Sequence, residues 1–203
     1  MKKIMLTILA FSVLSFNAVA EDGFYGGVKY SKLKVDYSTI DGLDLNEVYE
    51  SDFNAIDYHI GYNTGNWFYE AAYLDAGDES KNLANITSGI YTLTIDTKIE
   101  IDGFRFGTGY NHQFNDKFSI RPFANIYKLD TTATVSGTIT NGTDALTASI
   151  QQSGSETMMD AGVGFQYNVN ERFSVGASYS TTIDEIEDTD EIETTAITAS
   201  YKF

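Results

Sequence analysis

The sequence predicts an all-β protein: an eight-stranded antiparallel up-and-down transmembrane β-barrel. Large apolar residues alternate with small or polar ones in eight separate segments, and a period of two is typical of strands with two unlike faces. The links between these segments are alternately short and long. The chain also starts with an export signal, and none of its apolar runs is long enough to span a bilayer as a helix.

The first twenty residues have the organisation of a secretory signal. Lys2 and Lys3 precede an apolar run from Ile4 to Leu14, and the small residues Ala18 and Ala20 stand just before Glu21. This pattern predicts a signal peptide that is cleaved from an exported protein. We therefore expect a signal peptide over residues 1–20 and one barrel domain over residues 21–203.

Composition excludes several classes of protein. Cysteine is absent, so disulfides play no part. Removal of Lys2 and Lys3 reduces the 13 basic residues to eleven against 29 acidic ones, which changes the formal net charge from −16 to −18. Because phosphate binding requires a basic surface, we expect no nucleic-acid partner. The sequence gives no reason to expect a cofactor.

The eight alternating segments follow one another along the mature chain. They are residues 24–31, 55–62, 67–74, 104–110, 118–126, 160–167, 173–180 and 196–203. A water-soluble β-sandwich also alternates, so the links must discriminate between the two architectures. Three links are short (63–66, 112–117 and 168–172) and four are longer and polar (36–52, 75–102, 130–156 and 184–193). Strict alternation of this kind is typical of membrane barrels.

Two of the long links keep a strand-like composition beyond membrane depth. Residues 91–101 and 129–150 continue to alternate, and Asn141-Gly142 is a hairpin turn signal in the second stretch. We expect the third long loop to be a protruding β-ribbon.

The chain ends Ile197-x-Ala199-x-Tyr201-x-Phe203 after eight alternating segments and a signal peptide. In these features it resembles the small outer-membrane barrels of the OmpA-transmembrane and opacity-like porin families. The resemblance implies a location in the outer membrane of a Gram-negative cell. It also implies that these four residues form the signal read by the barrel assembly machinery. It covers the whole mature chain but rests on a pattern, so it supports fold and location better than activity.

Charged residues on the inward faces are the first candidate site. An eight-stranded barrel is just wide enough to be filled by its own side chains, so charges inside must find partners. We predict a lumen ion-pair network in which Glu70 neighbours Arg105, followed by Arg121 and Asp160 around the wall. The candidate residues are Lys29, Asp57, Glu70, Arg105, Arg121 and Asp160. The alternative is a gate whose pairs exchange to admit small ions.

Catalytic signals are weak. The mature chain contains only His59 and His112, and both are predicted near the short-turn end. It contains neither a Gly-x-Ser-x-Gly elbow nor a His-Glu-x-x-His zinc motif. We therefore expect that the protein is not an enzyme.

The last long loop is rich in carboxylates, which are ligands that Ca²⁺ and Mg²⁺ prefer. Weak candidates for metal ligands are Glu185, Glu187, Asp188, Asp190 and Glu191. The loop lacks the glycine and ligand spacing of an EF-hand. A solvated acidic loop is the simpler interpretation.

These observations lead to three functional hypotheses. The first is a structural or surface-interaction barrel that presents its loops outside the cell. The second is a narrow porin for ions or small solutes, and the third is a lipid-modifying outer-membrane enzyme. Expected partners are outer-membrane lipid and lipopolysaccharide, the barrel assembly machinery, divalent cations and an unknown surface ligand.

Overall fold

A computed structural model of the protein describes residues 22–40, 42–184 and 189–203. The predicted signal peptide and Glu21 lie outside the described residues. So do three of the acidic metal candidates, Glu185, Glu187 and Asp188.

Eight long strands form the molecule. They are β1 Gly23–Tyr37, β2 Asp52–Thr64, β3 Trp67–Ser88, β4 Tyr91–Tyr110, β5 Phe118–Thr140, β6 Ala145–Asn168, β7 Phe173–Thr182 and β8 Thr189–Lys202. Each strand pairs antiparallel with the next, and β1 also pairs with β8 from Tyr25↔Lys202 to Tyr37↔Thr189. The ring is therefore closed, which confirms the predicted eight-stranded up-and-down barrel.

Short elements complete the fold. Thr39–Ile40 pairs with Leu43–Asp44, and a one-turn helix, α1, follows at Leu45–Val48. Asp44 caps α1, since its side chain accepts a hydrogen bond of 2.9 Å from the Asn46 amide. A further short strand, His112–Gln113, pairs with Ile120 and Ser119. Within the described part of the chain, no helix is long and apolar enough to cross a membrane.

Most of residues 75–102 and 130–156 extend the strands, and the strand-like stretch exceeds the predicted 91–101 and 129–150. β3 and β4 pair as far as Ser88↔Tyr91, and β5 and β6 pair as far as Thr140↔Ala145. Gly89 and Gly142 make the two tight turns with φ of +64° and +87°, a region that glycine enters at little cost. The predicted ribbon between β5 and β6 is confirmed.

The two hairpins also pair with each other. β4 and β5 stay in register from Gly109↔Phe123 to Thr92↔Thr140. Residues 76–88, 91–101, 131–140 and 145–155 therefore form one four-stranded protruding sheet that continues half of the barrel wall. Alternation persists in residues 91–101 and 131–140, the two central strands of this sheet, which explains why they extend the strands instead of forming loops.

Side chains divide by strand face as the alternation predicts. Outward positions hold exposed apolar and aromatic residues such as Phe24, Phe104, Phe106, Phe165 and Ile197, each at least 57% exposed. Inward positions are buried or half-buried. The centre of the barrel contains polar side chains, and an apolar cluster lies at the end of the lumen from which the protruding sheet extends. Its buried members are Leu33, Val35, Phe53, Ala55, Leu74, Ala76, Ile99, Tyr127, Leu129 and Met158.

Candidate functional site

Arg105, on β4, is the centre of the polar lumen and its side chain is 1% exposed. Its Nε and Nη2 donate to the two carboxylate oxygens of Asp57, on β2, at 2.7 and 3.2 Å. Arg105 reaches Asp57 past β3, where its register neighbour is the small Ala72. The pairing is bidentate, which gives a charged hydrogen bond both strength and a fixed geometry.

Glu70, on β3, joins Arg105 to a second guanidinium. Its Oε2 accepts from Arg105 Nη1 at 3.1 Å, and its Oε1 lies 3.4 Å from Arg121 Nη2. The Tyr25 hydroxyl donates to the same Oε1 at 2.8 Å. Gly61 and Gly107 are the cross-strand neighbours of Glu70. Gly61 leaves space for the Tyr25 ring, and Gly107 leaves space for the Arg105 and Asn125 side chains.

Arg121, on β5, faces the short-turn end of the lumen. Its Nη1 donates to Gln166 Oε1 at 2.8 Å and its Nη2 donates to the Tyr25 hydroxyl at 3.1 Å. The guanidinium carbon lies 3.8 Å from the centroid of the Phe68 ring, a cation–π contact. Arg121 is therefore held by a ring, an amide, a phenol and a carboxylate together.

Asp160 joins the predicted set by a different route. We expected it to follow Arg121 in a row of alternating charges. Instead its carboxylate accepts from Asn125 Nδ2 at 2.7 Å and from the Tyr127 hydroxyl at 3.0 Å, and Asn125 Oδ1 accepts from Arg105 at 3.0 Å. Asp160 therefore joins the network through Asn125, which stands between Asp160 and Arg105, and not as the next charge after Arg121.

Lys29, on β1, is the register neighbour of Asp57 and lines a cavity of about 50 Å³ together with Glu70 and Arg105. A cavity of this volume has room for one or two water molecules. The six predicted residues comprise three cations and three carboxylates. Their formal charges cancel, as a low-dielectric interior requires.

Sequence reasoning placed His59 inside the barrel but missed its partner. His59 Nε2 lies 3.2 Å from Ser200 Oγ, and His59 Nδ1 lies 3.4 Å from Asp57 Oδ1. Gly27 stands between His59 and Ser200 in the register, and a Cβ added there would lie 2.8 Å from His59 Nε2. A glycine at an inward position beside an inward histidine is the signal that could have revealed this contact.

The segment between β1 and β2 covers the lumen at the end with the protruding sheet. Thr97 Oγ1 donates to the Val48 carbonyl at 2.7 Å, and Lys81 Nζ donates to the Asn46 carbonyl at 2.6 Å. The Tyr37 and Tyr49 rings pack with centroids 5.9 Å apart. Three successive levels, polar residues, the apolar cluster and this α1 segment, therefore fill the lumen.

A larger cavity of about 520 Å³ lies at the short-turn end. Arg121 and Gln166 separate it from the polar centre, and amide side chains such as Asn111 and Asn168 line its wall. It is the vestibule of the barrel at that end.

The remaining predicted residues are placed as follows. Asp190 Oδ1 accepts from Ser38 Oγ and Glu191 Oε1 accepts from Thr181 Oγ1, each at 2.6 Å. Among the described residues, no group of three or more His, Asp or Glu side chains could hold a metal ion. The predicted assembly signal, Ile197, Ala199, Tyr201 and Phe203, lies exposed on the outer surface at the end of the chain.

Comparison with protein families shows what kind of barrel this is. The family described as "outer membrane protein beta-barrel domain" matches residues 4–203. The chain belongs to this family. It is therefore an outer-membrane β-barrel, and the resemblance to OmpA-like and opacity-like barrels is confirmed. In such barrels the short turns are periplasmic and the longer connections are extracellular, so the protruding sheet is extracellular and the 520 Å³ vestibule is periplasmic.

Solved structures with a similar fold include three small outer-membrane barrels. Ail, the attachment invasion locus protein of Yersinia pestis, is 15% identical, with 90% of this chain and 97% of that chain covered and a TM-score of 0.46. Neisserial surface protein A is 11% identical (92% and 98% covered, TM-score 0.45). The N-terminal β-barrel domain of Pseudomonas aeruginosa OprF is 12% identical (90% and 100% covered, TM-score 0.42). Comparison with curated protein sequences finds no match.

Proposed function

We propose that this protein is a closed outer-membrane barrel whose role is structural and interactive: it stabilises the membrane and presents the protruding sheet to the surroundings. The observation that carries this proposal is the buried Arg105, which links Asp57 and Glu70 in the centre of the lumen. Opening a passage there would separate the arginine and carboxylate charges and leave them unpaired in a low-dielectric site. This costs several kcal/mol per uncompensated ion.

Two further features support a closed lumen. The apolar cluster above Arg105 offers no polar lining to a hydrated ion, and the α1 segment is hydrogen-bonded across the mouth to Thr97 and Lys81. By contrast, the protruding sheet extends outward on four strands. The part of the molecule that meets other molecules is therefore this sheet.

The fate of the chain before and during assembly follows the same reasoning. We infer that residues 1–20 are removed on export and that residues 21–203 form the mature barrel. The exposed alternation of Ile197, Ala199, Tyr201 and Phe203 suits recognition by the barrel assembly machinery.

Planar-bilayer recording of the purified monomer tests the closed lumen. We expect no stable conductance steps from the native protein. Large, stable steps that persist in independent preparations would contradict the proposal and favour the narrow porin.

We also propose that the protein is not an enzyme. Asp57, His59 and Ser200 form a line of acid, imidazole and hydroxyl, but both Asp57 oxygens are engaged by Arg105 and Ser200 is 8% exposed. Incubation of the folded barrel with a fluorophosphonate should leave Ser200 unlabelled, and lipid mass spectrometry should find the same lipids with and without the protein. Labelling that disappears in Ser200→Ala would contradict this.

A further inference from the structure

The outer surface of β5 and β6 carries an unusual run of uncharged polar side chains. Outward positions are the even residues from Thr132 to Thr140 and the odd residues from Thr147 to Ser155, here called the hydroxyl face. Nine of these ten side chains are Thr or Ser and the tenth is Gln151. None is charged, although the chain has a formal net charge of −16.

The hydroxyl face continues the lipid-facing wall without interruption. Ile126 and Met159 are paired, outward and exposed by more than 40%, and the β5–β6 register runs unbroken from them to Thr140↔Ala145. A β-bulge would redirect the side chains, and none occurs in this ladder. Near Ile126 and Met159 this surface faces lipid. Farther along the same two strands it therefore faces the layer outside the lipid.

The height of the face identifies the layer that it meets. With about 3.4 Å per residue and a strand tilt near 40°, Thr132 lies roughly 15 Å above Ile126 and Thr138 lies roughly 30 Å above it. The polar headgroup region adds only about 5 to 8 Å to each side of the hydrocarbon. Lys128 and Asp130, exposed between Ile126 and Thr132, mark the headgroup level. The hydroxyl face begins beyond it.

The neighbouring half of the sheet has a different chemistry. On β3 and β4, Lys98 Nζ lies 2.8 Å from Glu100 and 3.0 Å from Asp78. The hydrogen bonds to Glu100 and Asp78 raise the pKa of Lys98 above its ordinary value, so this charge is fixed at neutral pH. The absence of charge is thus a property of the hydroxyl face alone and does not extend to the entire protruding sheet.

Hydroxyls on the face already form cross-strand pairs. Thr138 Oγ1 and Thr147 Oγ1 are 2.9 Å apart, and Thr132 Oγ1 and Ser153 Oγ are 3.1 Å apart. Each hydroxyl can donate one hydrogen bond and accept two. A pair therefore retains free acceptor sites in a fixed, regular arrangement.

We propose that the hydroxyl face is a docking surface for the core oligosaccharide of the lipopolysaccharide that surrounds the barrel. Sugars present hydroxyls that both donate and accept, and the paired Thr and Ser hydroxyls of this face offer the same two functions in return. The inference rests on the proposed surface-interaction role and assigns it a partner. The continuity with the lipid-facing wall selects this source of sugar over a soluble one.

The test uses the full mature barrel, folded in detergent micelles, and core oligosaccharide released from its lipid. The variant Thr134→Val/Thr138→Val/Thr147→Val removes three hydroxyls with little change in shape, and valine retains a high strand propensity. Control variants Thr64→Val and Thr195→Val remove exposed hydroxyls from the periplasmic end of β2 and from β8, both outside the protruding sheet. Saturation-transfer NMR and calorimetry give the binding curves.

We expect wild type and both controls to bind the oligosaccharide alike, and the triple variant to bind at least fivefold more weakly. Equal binding by the triple variant and wild type would overturn the proposal, as would an equal loss in the controls. Conductance is measured on the same preparations so that the two proposals are tested separately. If wild type shows no conductance steps and the triple variant binds the oligosaccharide like wild type, only the docking surface is contradicted.

Discussion

Arg105 and Asp57 form a two-point ion pair across the middle of the barrel, with Nε and Nη2 at 2.7 and 3.2 Å from the two carboxylate oxygens. Both side chains are 1% exposed, and the pair reaches across β3, where Arg105 has Ala72 as its register neighbour and Glu70 as a second carboxylate partner. It therefore joins β2 and β4 inside the lumen in addition to the backbone hydrogen bonds of the wall.

Arg105→Met should destabilise the barrel strongly. The substitution keeps most of the side-chain volume but leaves Asp57 buried without its cation, and breaking a buried pair costs about 3 to 5 kcal/mol. The free energy of unfolding in lipid vesicles can be measured with urea. The single tryptophan, Trp67, is 45% exposed on the outer wall and reports unfolding by its fluorescence.

The double variant Arg105→Met/Asp57→Leu is the control. Removal of both charges should lose less stability than Arg105→Met alone, since no unpaired carboxylate remains. The single variant Asp57→Leu completes the comparison. If the stability losses of the two single variants simply add in the double variant, Arg105 and Asp57 are not energetically coupled and the central pair does not stabilise the fold.

Glu70→Gln should also destabilise the barrel, but by less than Arg105→Met. A glutamine carbonyl can still accept from Arg105 or Tyr25, whereas the charge shared by Arg105 and Arg121 is lost. The upper limit is about 3 to 5 kcal/mol, and water in the 50 Å³ cavity would reduce it. An unchanged urea midpoint would show that Glu70 does not compensate either arginine.

The alternation was enough to predict which residues line the lumen, since period two assigns faces without any knowledge of distances. Lys29, Asp57, Glu70, Arg105, Arg121 and Asp160 are all at inward positions. Their pairing was not predictable, because a long side chain such as Arg105 can reach either of two neighbouring strands. The choice depends on space left by Ala72 and Gly107, and on Asn125, which stands between Arg105 and Asp160.

The eight alternating segments are shorter than the observed strands, although residues 91–101 and 129–150 were expected to stay strand-like. Membrane thickness limits only the part of a strand that crosses lipid, and residues 91–101 and 129–150 continue past that depth because β4 and β5 pair with each other. Pairing between two hairpins is a tertiary contact. Neither hairpin sequence contains a signal for it beyond its own alternation.

Gly27→Ala should impair folding of the barrel at its closing seam. An added Cβ would clash with the Ala199 carbonyl of β8 and lie 2.8 Å from His59 Nε2. Overpacking of this kind costs about 1 to 3 kcal/mol. The rate of refolding into vesicles and the gel shift between unboiled and boiled samples measure the effect.

Gly137→Ala is the matched control for Gly27→Ala. A Cβ added at Gly137, in the protruding sheet, meets no atom within 4 Å. The control should refold like wild type. Equal refolding by Gly27→Ala would show that the seam can relax, and that the His59–Ser200 contact does not require a glycine.

The acidic fourth extracellular loop, residues 183–188, and the adjoining Asp190 and Glu191 should respond to divalent cations. Like charges within a Debye length of about 8 Å repel each other, and lipopolysaccharide phosphates are anionic too. Ca²⁺ or Mg²⁺, which bind oxygen ligands, would relieve this repulsion by bridging carboxylates to one another or to phosphates. In the described part of this region, Asp190 and Glu191 already accept hydrogen bonds from Ser38 and Thr181. We therefore expect a diffuse site.

The measurement is a Ca²⁺ titration of the refolded barrel and of a variant with Glu185, Glu187, Asp188, Asp190 and Glu191 changed to Ser. At ten times the dissociation constant, binding to the folded state alone stabilises it by about 1.4 kcal/mol. The midpoint temperature of thermal unfolding and the protection of the loop from protease should increase for wild type and much less for the variant. A control with Asp116→Ser and Glu171→Ser in periplasmic turns should respond like wild type. If wild type and the five-residue variant respond alike, the acidic loop is only a solvated surface.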